Sequence, residues 1–215
     1  KMTPVILPQP SESPTLLLQT HQLSWQGYPP FPDLQVHKGE TVLLKGGNGC
    51  GKTTLLKLLS GLLKATTGRL EILGREMSKR SVVQIAAIVG FVLQNPNHQL
   101  FADNVRSEVL QPGVSTNQAN TLLEQLSLNE FAQQHPQSLS QGQKRRLALA
   151  AILARQPQIC LLDEITVGQD PYSLALMLQV LQQFTHQGGA LILTSHDPMA
   201  AAALHARQIE LSYPS

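Results

Sequence analysis

Short runs of apolar residues alternate along the chain with longer stretches in which apolar residues recur at helical spacing. Apolar runs of four to six residues are too short for most helices and favour buried strands. The clearest of these runs are residues 41–44, 88–93, 159–162 and 190–193. Apolar strands that alternate with helices are typical of a largely parallel sheet covered by helices on both faces. The pattern therefore predicts an α/β fold.

The remaining apolar patterns predict further strands and the helices between them. Further strands are predicted at residues 15–19, 34–36, 69–73 and 208–211, and helices at residues 55–63, 78–87, 103–110, 117–126, 144–155, 171–186 and 198–205. Residues 95–156 contain no strand pattern, so we expect a helical subdomain inserted into the core. Residues 1–14 carry four prolines and are predicted to form an extended leader before a single domain at 15–215.

Composition narrows the class of protein. Of the 215 residues, 42% are hydrophobic and only 4% aromatic, which predicts a sizeable aliphatic core. The net charge of +2 does not point to nucleic acid. No apolar run approaches the ~18 residues that indicate a membrane span. Cys50 and Cys160 lack the spacing of metal ligands and are expected to be buried, reduced thiols.

A glycine-rich stretch connects the strand at 41–44 to the helix at 55–63. Glycines allow a backbone to wrap around a phosphate, so that N–H groups and the start of the helix point at it. Lys52 can reach the β- and γ-phosphates of a nucleotide, and the Thr53 hydroxyl can ligate Mg²⁺. An ordinary strand-to-helix turn is the alternative. The stretch fits the phosphate-loop pattern G-x-x-x-x-G-K-[ST] and consists of Gly46, Gly47, Asn48, Gly49, Cys50, Gly51, Lys52, Thr53 and Thr54.

Polar residues follow three other predicted strands, at the edge where open α/β sheets bind ligands. Asp163 and Glu164 come directly after residues 159–162. Asp163 is suited to hold Mg²⁺ and Glu164 to polarise an attacking water, although an acidic loop after a core strand is common. Gln94 and His196 lie at the ends of their own strands, where a lone histidine is more often a hydrogen-bonded structural residue.

A second candidate anion site lies at the start of the predicted helix 144–155. The four residues concerned are Ser140, Gln141, Gly142 and Gln143. A serine hydroxyl, a glycine N–H and a helix N-terminus together suit a phosphate. Since a chain with a phosphate loop does not obviously need a second such site, this one would serve a nucleotide held by another copy. Taken alone, the stretch favours the simpler interpretation of a helix capped by Ser140.

In this order, the motifs resemble those of the ATP-binding cassette ATPases, the nucleotide-binding subunits of ABC transporters. The phosphate loop matches the Walker A motif, Gln94 the Q loop, and residues 139–143 the signature motif. Asp163 and Glu164 match the Walker B motif. The resemblance covers nearly all of residues 15–211 and implies a P-loop NTPase. Its RecA-like core would contain a mostly parallel sheet, with antiparallel β elements near the N-terminus.

The resemblance also implies the site for Mg²⁺ and ATP. Mg²⁺ is expected at Thr53, Gln94 and Asp163. Glu164 would orient the attacking water, and Lys52 would contact phosphate. His196 matches the switch histidine that contacts the γ-phosphate in the family.

The same family packs its ATPase subunits head to tail. Each ATP would lie between the Walker A loop of one subunit and Ser140 with Gly142 of another, as a homodimer or a heterodimer. Asp170 matches the aspartate of the D loop, which lies in the dimer contact. The adenine-stacking aromatic of the family is matched best by Tyr28, with Trp25 as the alternative.

One segment resembles a narrower group, the energy-coupling-factor ATPases that drive uptake of cobalt, nickel and vitamins. Its pattern Q-N-P-x-x-Q-L-F runs from Gln94 to Phe101. The resemblance implies a cytoplasmic subunit that is peripheral on the membrane and docks on a separate integral membrane protein. Leu100 and Phe101 would form part of the docking groove, or else pack inside the helical subdomain.

The chain departs from the family at three positions. Gln141 replaces the first glycine of L-S-G-G-Q, and Ile165 and Gln169 replace a proline and a leucine after the Walker B motif. Two alternative functions remain: a soluble ABC ATPase acting in DNA repair or on the ribosome, and a nucleotide-gated assembly module. The only hint of nucleic acid is the run Lys144, Arg145, Arg146, which we interpret as a solvated helix face.

Overall fold

The computed structural model describes residues 15–164, 166–195 and 197–212. The predicted leader at residues 1–14 and two of the residues discussed above, Ile165 and His196, lie outside these ranges. Within the described residues, no helix is both long enough and apolar enough to cross a membrane.

The described part of the chain contains nine strands, seven α-helices and three short 3-10 helices. The strands are β1 Leu16–Ser24, β2 Gln35–His37, β3 Thr41–Lys45, β4 Thr67–Ile72, β5 Arg75–Glu76, β6 Val89–Val92, β7 Ile159–Leu162, β8 Ala190–Thr194 and β9 Arg207–Glu210. The helices are α1 Lys52–Leu59, α2 Val82–Ala86, α3 Val105–Val109, α4 Thr116–Gln125, α5 Gln141–Ala154, α6 Pro171–His186 and α7 Pro198–Ala203.

The strands form two sheets. The parallel sheet has the order β6-β7-β8-β3-β9, and the antiparallel sheet has the order β2-β1-β4-β5. The prediction of a mostly parallel sheet with antiparallel elements near the N-terminus is therefore confirmed. Among the described residues, all regular elements between β6 and β7 are helical.

The parallel sheet is covered on both faces. Consecutive side chains of a strand point to opposite sides, so they enter two different hydrophobic cores. On β7, Cys160 and Leu162 belong to one hydrophobic core, whereas Ile159 and Leu161 belong to the other. The first core also contains residues of α3, α4, α5 and α6, and the second contains residues of α1 and the antiparallel sheet. Burial raises the pKa of the Cys160 thiol to about 12, which keeps this cysteine protonated and unreactive.

Two helices begin three residues earlier than the apolar pattern predicts. Helix α5 begins at Gln141 instead of residue 144, because the Ser140 hydroxyl accepts a hydrogen bond from the Gln143 amide at 3.2 Å. Helix α1 begins at Lys52 instead of residue 55. The first turn of each helix carries polar residues, which hide the start of the apolar period.

The side chains of the neighbouring residues Leu100 and Phe101, in the turn after β6, have opposite environments. Leu100 is 3% exposed and packs in the first core, whereas Phe101 is 81% exposed. The buried Glu108 carboxylate accepts hydrogen bonds from the backbone amides of Phe101 and Ala102, both at 2.8 Å. This carboxylate fixes the turn, so only one of the two apolar side chains faces outward.

Gly90 on β6 allows helix α5 to lie against the sheet, and Gly90→Ala should destabilise the fold. A Cβ atom there would collide with the Cγ2 atom of Ile152 on α5 and lie 3.1 Å from Pro157 Cγ. Overpacking of this kind costs about 1–3 kcal/mol. The loss of unfolded-state entropy offsets at most about 1 kcal/mol of it. Urea denaturation should therefore give a lower free energy of unfolding.

The matched control is Gly47→Ala. Gly47 has open space around its Cα atom and no positive φ angle, so alanine should leave the free energy of unfolding unchanged or raised. Equal unfolding free energies for the two variants would contradict the packing argument.

Candidate functional site at the carboxyl edge of the parallel sheet

The parallel register brings the candidate residues to one edge of the sheet. Strand β8 pairs with β3 on one side and β7 on the other, with Thr194 opposite Leu44 and Leu193 opposite Leu162. The phosphate loop follows β3, and Asp163 and Glu164 follow β7. Residues far apart in sequence therefore meet where these three strands end.

The phosphate loop has the backbone geometry that its glycines permit. Gly46 has a φ of 141°, and a Cβ atom there would collide with the carbonyl oxygen of Leu211 and the sulfur of Cys50. Gly51 is the N-cap residue of helix α1 and has a left-handed conformation. Lys52 and Thr53 are the first two residues of the helix. The Lys52 ammonium donates to the carbonyls of Gly46 at 2.7 Å and Gly47 at 3.0 Å, which places a cation within the loop.

Asp163 is the centre of a hydrogen-bonded group that joins three elements. Its carboxylate is only 3% exposed. Oδ2 accepts a hydrogen bond from the Thr53 hydroxyl on α1, and Oδ1 accepts one from the Thr194 hydroxyl on β8, both at 2.9 Å. Each oxygen of the buried carboxylate thus has a hydrogen-bond donor, which offsets part of the cost of burying it.

Glu164 is held in a strained conformation beside this group. Its φ is 49°, a left-handed value that non-glycine residues seldom adopt. The Glu164 amide donates to the Thr194 hydroxyl at 2.9 Å, and the Gln94 side-chain amide lies 3.5 Å from Glu164 Oε2. Thr194 therefore fixes both the Asp163 side chain and the Glu164 backbone.

The oxygen atoms at this edge suit Mg²⁺. Two oxygen ligands about 2.1 Å from one octahedral ion, at right angles to each other, are about 3 Å apart. Thr53 Oγ1 and Asp163 Oδ2 are 2.9 Å apart. The described residues contain no cluster of three or more His, Cys, Asp or Glu side chains that could hold a metal. One carboxylate and one hydroxyl are the protein ligands expected where substrate phosphates supply the others.

The signature residues lie at the exposed start of α5. Ser140 and Gln141 are exposed, and Gly142 and Gln143 are partly buried. Ser140 and Gln143 form a capping box, in which the Gln143 side chain also accepts from the Ser140 amide at 2.8 Å. The Ser140 hydroxyl accepts in this box and keeps its own proton for a further hydrogen bond.

The interpretation of Lys144, Arg145 and Arg146 as a solvated face is wrong. Lys144 and Arg146 are each 7% exposed, and Arg145 is partly buried. The guanidinium of Arg146 donates to the Ser173 hydroxyl, which itself donates to Asp170 Oδ2 at 2.6 Å. Burial lowers the pKa of both arginines from the ordinary value, and the carboxylates of Glu164 and Asp170 offset part of this effect.

Asp170 is the N-cap residue of helix α6. Its Oδ1 atom accepts from the Ser173 amide at 2.9 Å. Hydrogen bonds from the Ser173 hydroxyl and amide hold the pKa of the exposed Asp170 carboxyl below its usual value.

Of the two candidate aromatics, Tyr28 lies near the phosphate loop and Trp25 lies beside Tyr28. The ring centroids of Trp25 and Tyr28 are 5.7 Å apart at a tilt of 46°. Tyr28 lines a small cleft together with Cys50 of the phosphate loop, whereas Trp25 packs against the second hydrophobic core. The switch-histidine prediction for His196 falls on a residue outside the described ranges.

The sequence analysis missed the hydrogen bonds of Thr194 and those of the basic run Lys144, Arg145, Arg146. Thr194 extends the apolar run 190–193 by one polar residue, which was a readable signal because polar residues at this edge face the ligand crevice. The partners of Lys144 and Arg145 gave no such signal, since most of them are backbone or amide oxygens distant in sequence.

Thr194→Val should destabilise the chain although valine has almost the same shape as threonine. It leaves Asp163 Oδ1 and the Glu164 amide without their partner, and each buried unpaired group costs about 1–3 kcal/mol. Urea denaturation of the nucleotide-free protein should therefore give a lower free energy of unfolding.

Thr41→Val is the matched control for Thr194→Val. Thr41 is a buried threonine on neighbouring β3, and its hydroxyl donates no hydrogen bond to any part of the chain that the structure describes. The control should match or exceed the wild-type stability. An equal loss in both variants would mean that the hydroxyl of Thr194 carries no special role.

The sequence of the chain matches a family of known proteins. The model of the ABC transporter family matches residues 32–167. The energy-coupling factor transporter ATP-binding protein EcfA of Methanosphaera stadtmanae is 35% identical over 175 residues, which are 77% of this chain and 63% of that protein. An ABC transporter ATP-binding protein of Methanosarcina mazei is 36% identical over 185 residues, which are 82% of this chain and 31% of that protein. The chain thus spans about a third to two thirds of the length of these curated relatives.

Solved structures share the same architecture. CbiO1 of Clostridium perfringens, described as part of the ABC transporter complex CbiONQ, has a TM-score of 0.72 at 25% identity, over 85% of this chain and 79% of that one. The ATP-binding cassette MJ0796, a dimer bound to ADP and Pi, has a TM-score of 0.80 at 24% identity, over 91% and 94% of the two chains, and supports the fold. Because the family model covers more than half of its residues, the chain belongs to the ABC transporter family of ATP-binding cassettes.

Proposed function

We propose that the chain is the ATP-binding and ATP-hydrolysing subunit of an ABC transporter, of the energy-coupling-factor type that imports a metal ion or a vitamin. The observation that carries the proposal is the placement of Glu164 directly beside the bonded pair Thr53 and Asp163, at the mouth of the phosphate loop. ATP-driven closure of a dimer would move a separate integral membrane subunit.

The nucleotide would bind along the phosphate loop. The backbone amides of residues 46–54 and the start of α1 attract the phosphates, and Lys52 would turn from the loop carbonyls towards the β- and γ-phosphates. Tyr28 would stack on adenine, because it lines the cleft beside Cys50. Trp25 is less suited, since part of its surface already packs against the core.

Hydrolysis would depend on positioning more than on covalent chemistry. Thr53 and Asp163 would hold Mg²⁺, with Gln94 nearby, and the ion would neutralise charge on the phosphates. Glu164 would orient a water for in-line attack on the γ-phosphate. His196 is proposed to contact that phosphate on the strength of the family resemblance alone.

The exposed ends of the site support a second copy as partner. Ser140 and Gly142 would bind the γ-phosphate of a nucleotide held by the other subunit of a homodimer or heterodimer. Near Asp170, Val167 and Tyr172 expose apolar surface that such a partner would cover.

The helical region supports a membrane partner on the cytoplasmic side. Phe101 exposes an apolar ring seven residues after Gln94, on a turn that Glu108 holds in place. An amphipathic helix of a membrane subunit would dock on this ring. The relatives named EcfA and the structural neighbour from CbiONQ support this class of transporter. The net charge of +2 gives no support for a nucleic-acid partner.

Glu164→Gln tests the hydrolysis step. It removes the charge that orients the water and leaves the shape and the Thr53–Asp163 pair in place, so ATP turnover should fall at least ~10²-fold while ATP binding persists. Phosphate release measures turnover, and size exclusion with ATP should detect a trapped dimer. The control is Glu124→Gln, a change of an exposed glutamate on α4, which should keep full turnover. Near-normal turnover in Glu164→Gln would remove Glu164 from the mechanism.

Phe101→Asp tests the docking surface. The charge would be solvated where the ring was exposed, so the isolated subunit should keep its melting temperature and its ATP binding. Affinity for the membrane subunit should fall at least about tenfold, the loss typical of a central apolar contact. The measurement is co-purification of the complex from detergent.

Two further variants define the outcome for Phe101. Val83→Asp is the matched control, since Val83 is 80% exposed on α2, and it should leave the complex intact. Leu100→Asp should unfold the chain, because Leu100 is part of the core. Equal retention of the complex by Phe101→Asp and Val83→Asp would place the membrane partner elsewhere.

A further inference from the structure

Three consecutive cationic residues follow the signature motif, and the mechanism above uses none of them. Lys144, Arg145 and Arg146 lie in the first two turns of α5 and donate hydrogen bonds to other segments of the same chain. Burying cations is costly and hydrogen bonds to acceptors offset part of that cost, so the acceptors that these residues reach favour one position of α5.

Arg145 joins two loops of the site. Its Nη2 atom donates to the Gln94 carbonyl at 2.9 Å, and its Nη1 atom donates to the Val167 carbonyl. Gln94 begins the Q loop (residues 94–99), and Val167 lies in the D loop (residues 166–170). The charge of Arg145 also interacts with the Glu164 carboxylate. One guanidinium therefore links the signature helix, the Q loop and the D loop.

Lys144 adds a second link to the Q loop. Its ammonium donates to Asn97 Oδ1 at 2.9 Å and to Gln137 Oε1 at 3.0 Å. Because these partners are neutral amides, the contact fixes position without an ion pair. Helix α5 is thus bonded to both ends of the segment between Gln94 and Asn97.

We propose that Arg145, supported by Lys144, is a positioning residue that makes the signature motif move with the Q loop and D loop of its own subunit. Ser140 is five residues before Arg145, which is about 7.5 Å along a helix. A displacement of Gln94 would therefore reach the serine that faces the nucleotide of the other subunit. This inference rests on the proposed function, because it assumes that Ser140 acts on a second copy.

The planar fork of arginine is what this link requires. Two carbonyls on different loops can be bonded at once by two N–H groups held in one plane, whereas lysine offers a point charge on a flexible stem. Arg145→Lys should therefore recover part of the function, and Arg145→Gln less. A role limited to general stability would not separate these two variants.

Steady-state ATP hydrolysis by the full chain tests the kinetic effect. In Arg145→Gln, kcat should fall at least about tenfold, since small misplacements of catalytic groups have effects of this size. The ATP concentration for half-maximal rate should change less than about twofold, because the phosphate loop is untouched. Arg145→Lys should lie between Arg145→Gln and the wild type.

Arg155→Gln is the matched control. Arg155 follows the last residue of α5 and donates to the Ala86 carbonyl at 2.9 Å, away from the Q and D loops. It should keep the wild-type kcat. Wild-type kcat in Arg145→Gln would overturn the proposal, and so would an equal loss in Arg145→Gln and Arg155→Gln.

Hydrogen exchange of the nucleotide-free chain tests the link without relying on turnover. Amides of residues 94–99 and 166–170 should exchange at least about tenfold faster in Arg145→Gln than in Arg155→Gln. Unchanged exchange would overturn the link. Faster exchange in a chain whose wild type does not hydrolyse ATP would support the link and contradict the proposed function instead.

Discussion

The buried carboxylate of Asp163 is the interaction on which the arrangement of the site depends. Two hydroxyl groups satisfy it, one from α1 and one from β8, so three elements distant in sequence must meet in one register. A buried carboxylate without these partners would cost several kcal/mol, of the order of the whole stability of a domain. The same Thr194 hydroxyl accepts from the Glu164 amide, so the fold that satisfies Asp163 also sets Glu164 in its left-handed conformation. Stability and placement of the candidate base thus rest on one group of atoms.

The two hydrophobic cores, one on each face of the parallel sheet, also fix the register of strands β7 and β8. Along β7, the residues before Asp163 alternate between the two cores, and β8 does the same next to it. A slip of one residue would send each side chain to the opposite core and move Asp163 away from Thr53. The apolar strands therefore do more than bury surface, because they bring the polar strand ends to the same level.

Features that are local in sequence were predictable, and features that depend on distant partners were not. Strand β7 and helix α6 have the predicted bounds, and the phosphate loop lies where its pattern places it. The polar character of Thr194 was readable, but its contacts were not, because its partners are residues 163 and 164, which follow another strand. The basic run was misread because its charge is visible in the sequence, whereas the acceptors at Gln94, Asn97 and Val167 are not. Leu100 and Phe101 are both apolar in sequence, whereas in the structure a turn bonded to Glu108 leaves the first buried and the second exposed.

Of the two departures from the family pattern that the structure describes, Gln141 is exposed and Gln169 is partly buried. Gln141 replaces a glycine at the first position of α5, yet the cap depends on Ser140 and Gln143 and remains complete. The Gln169 side-chain amide lies 3.5 Å from the carbonyl of Gly142, so the residue that replaces a leucine faces the signature turn. The glutamine amide can donate a hydrogen bond to this carbonyl and leucine cannot, although the bond is weak because it is long. The substitutions therefore affect the start of α5 and its contact with residue 169, and they do not touch the hydrogen bonds around Asp163.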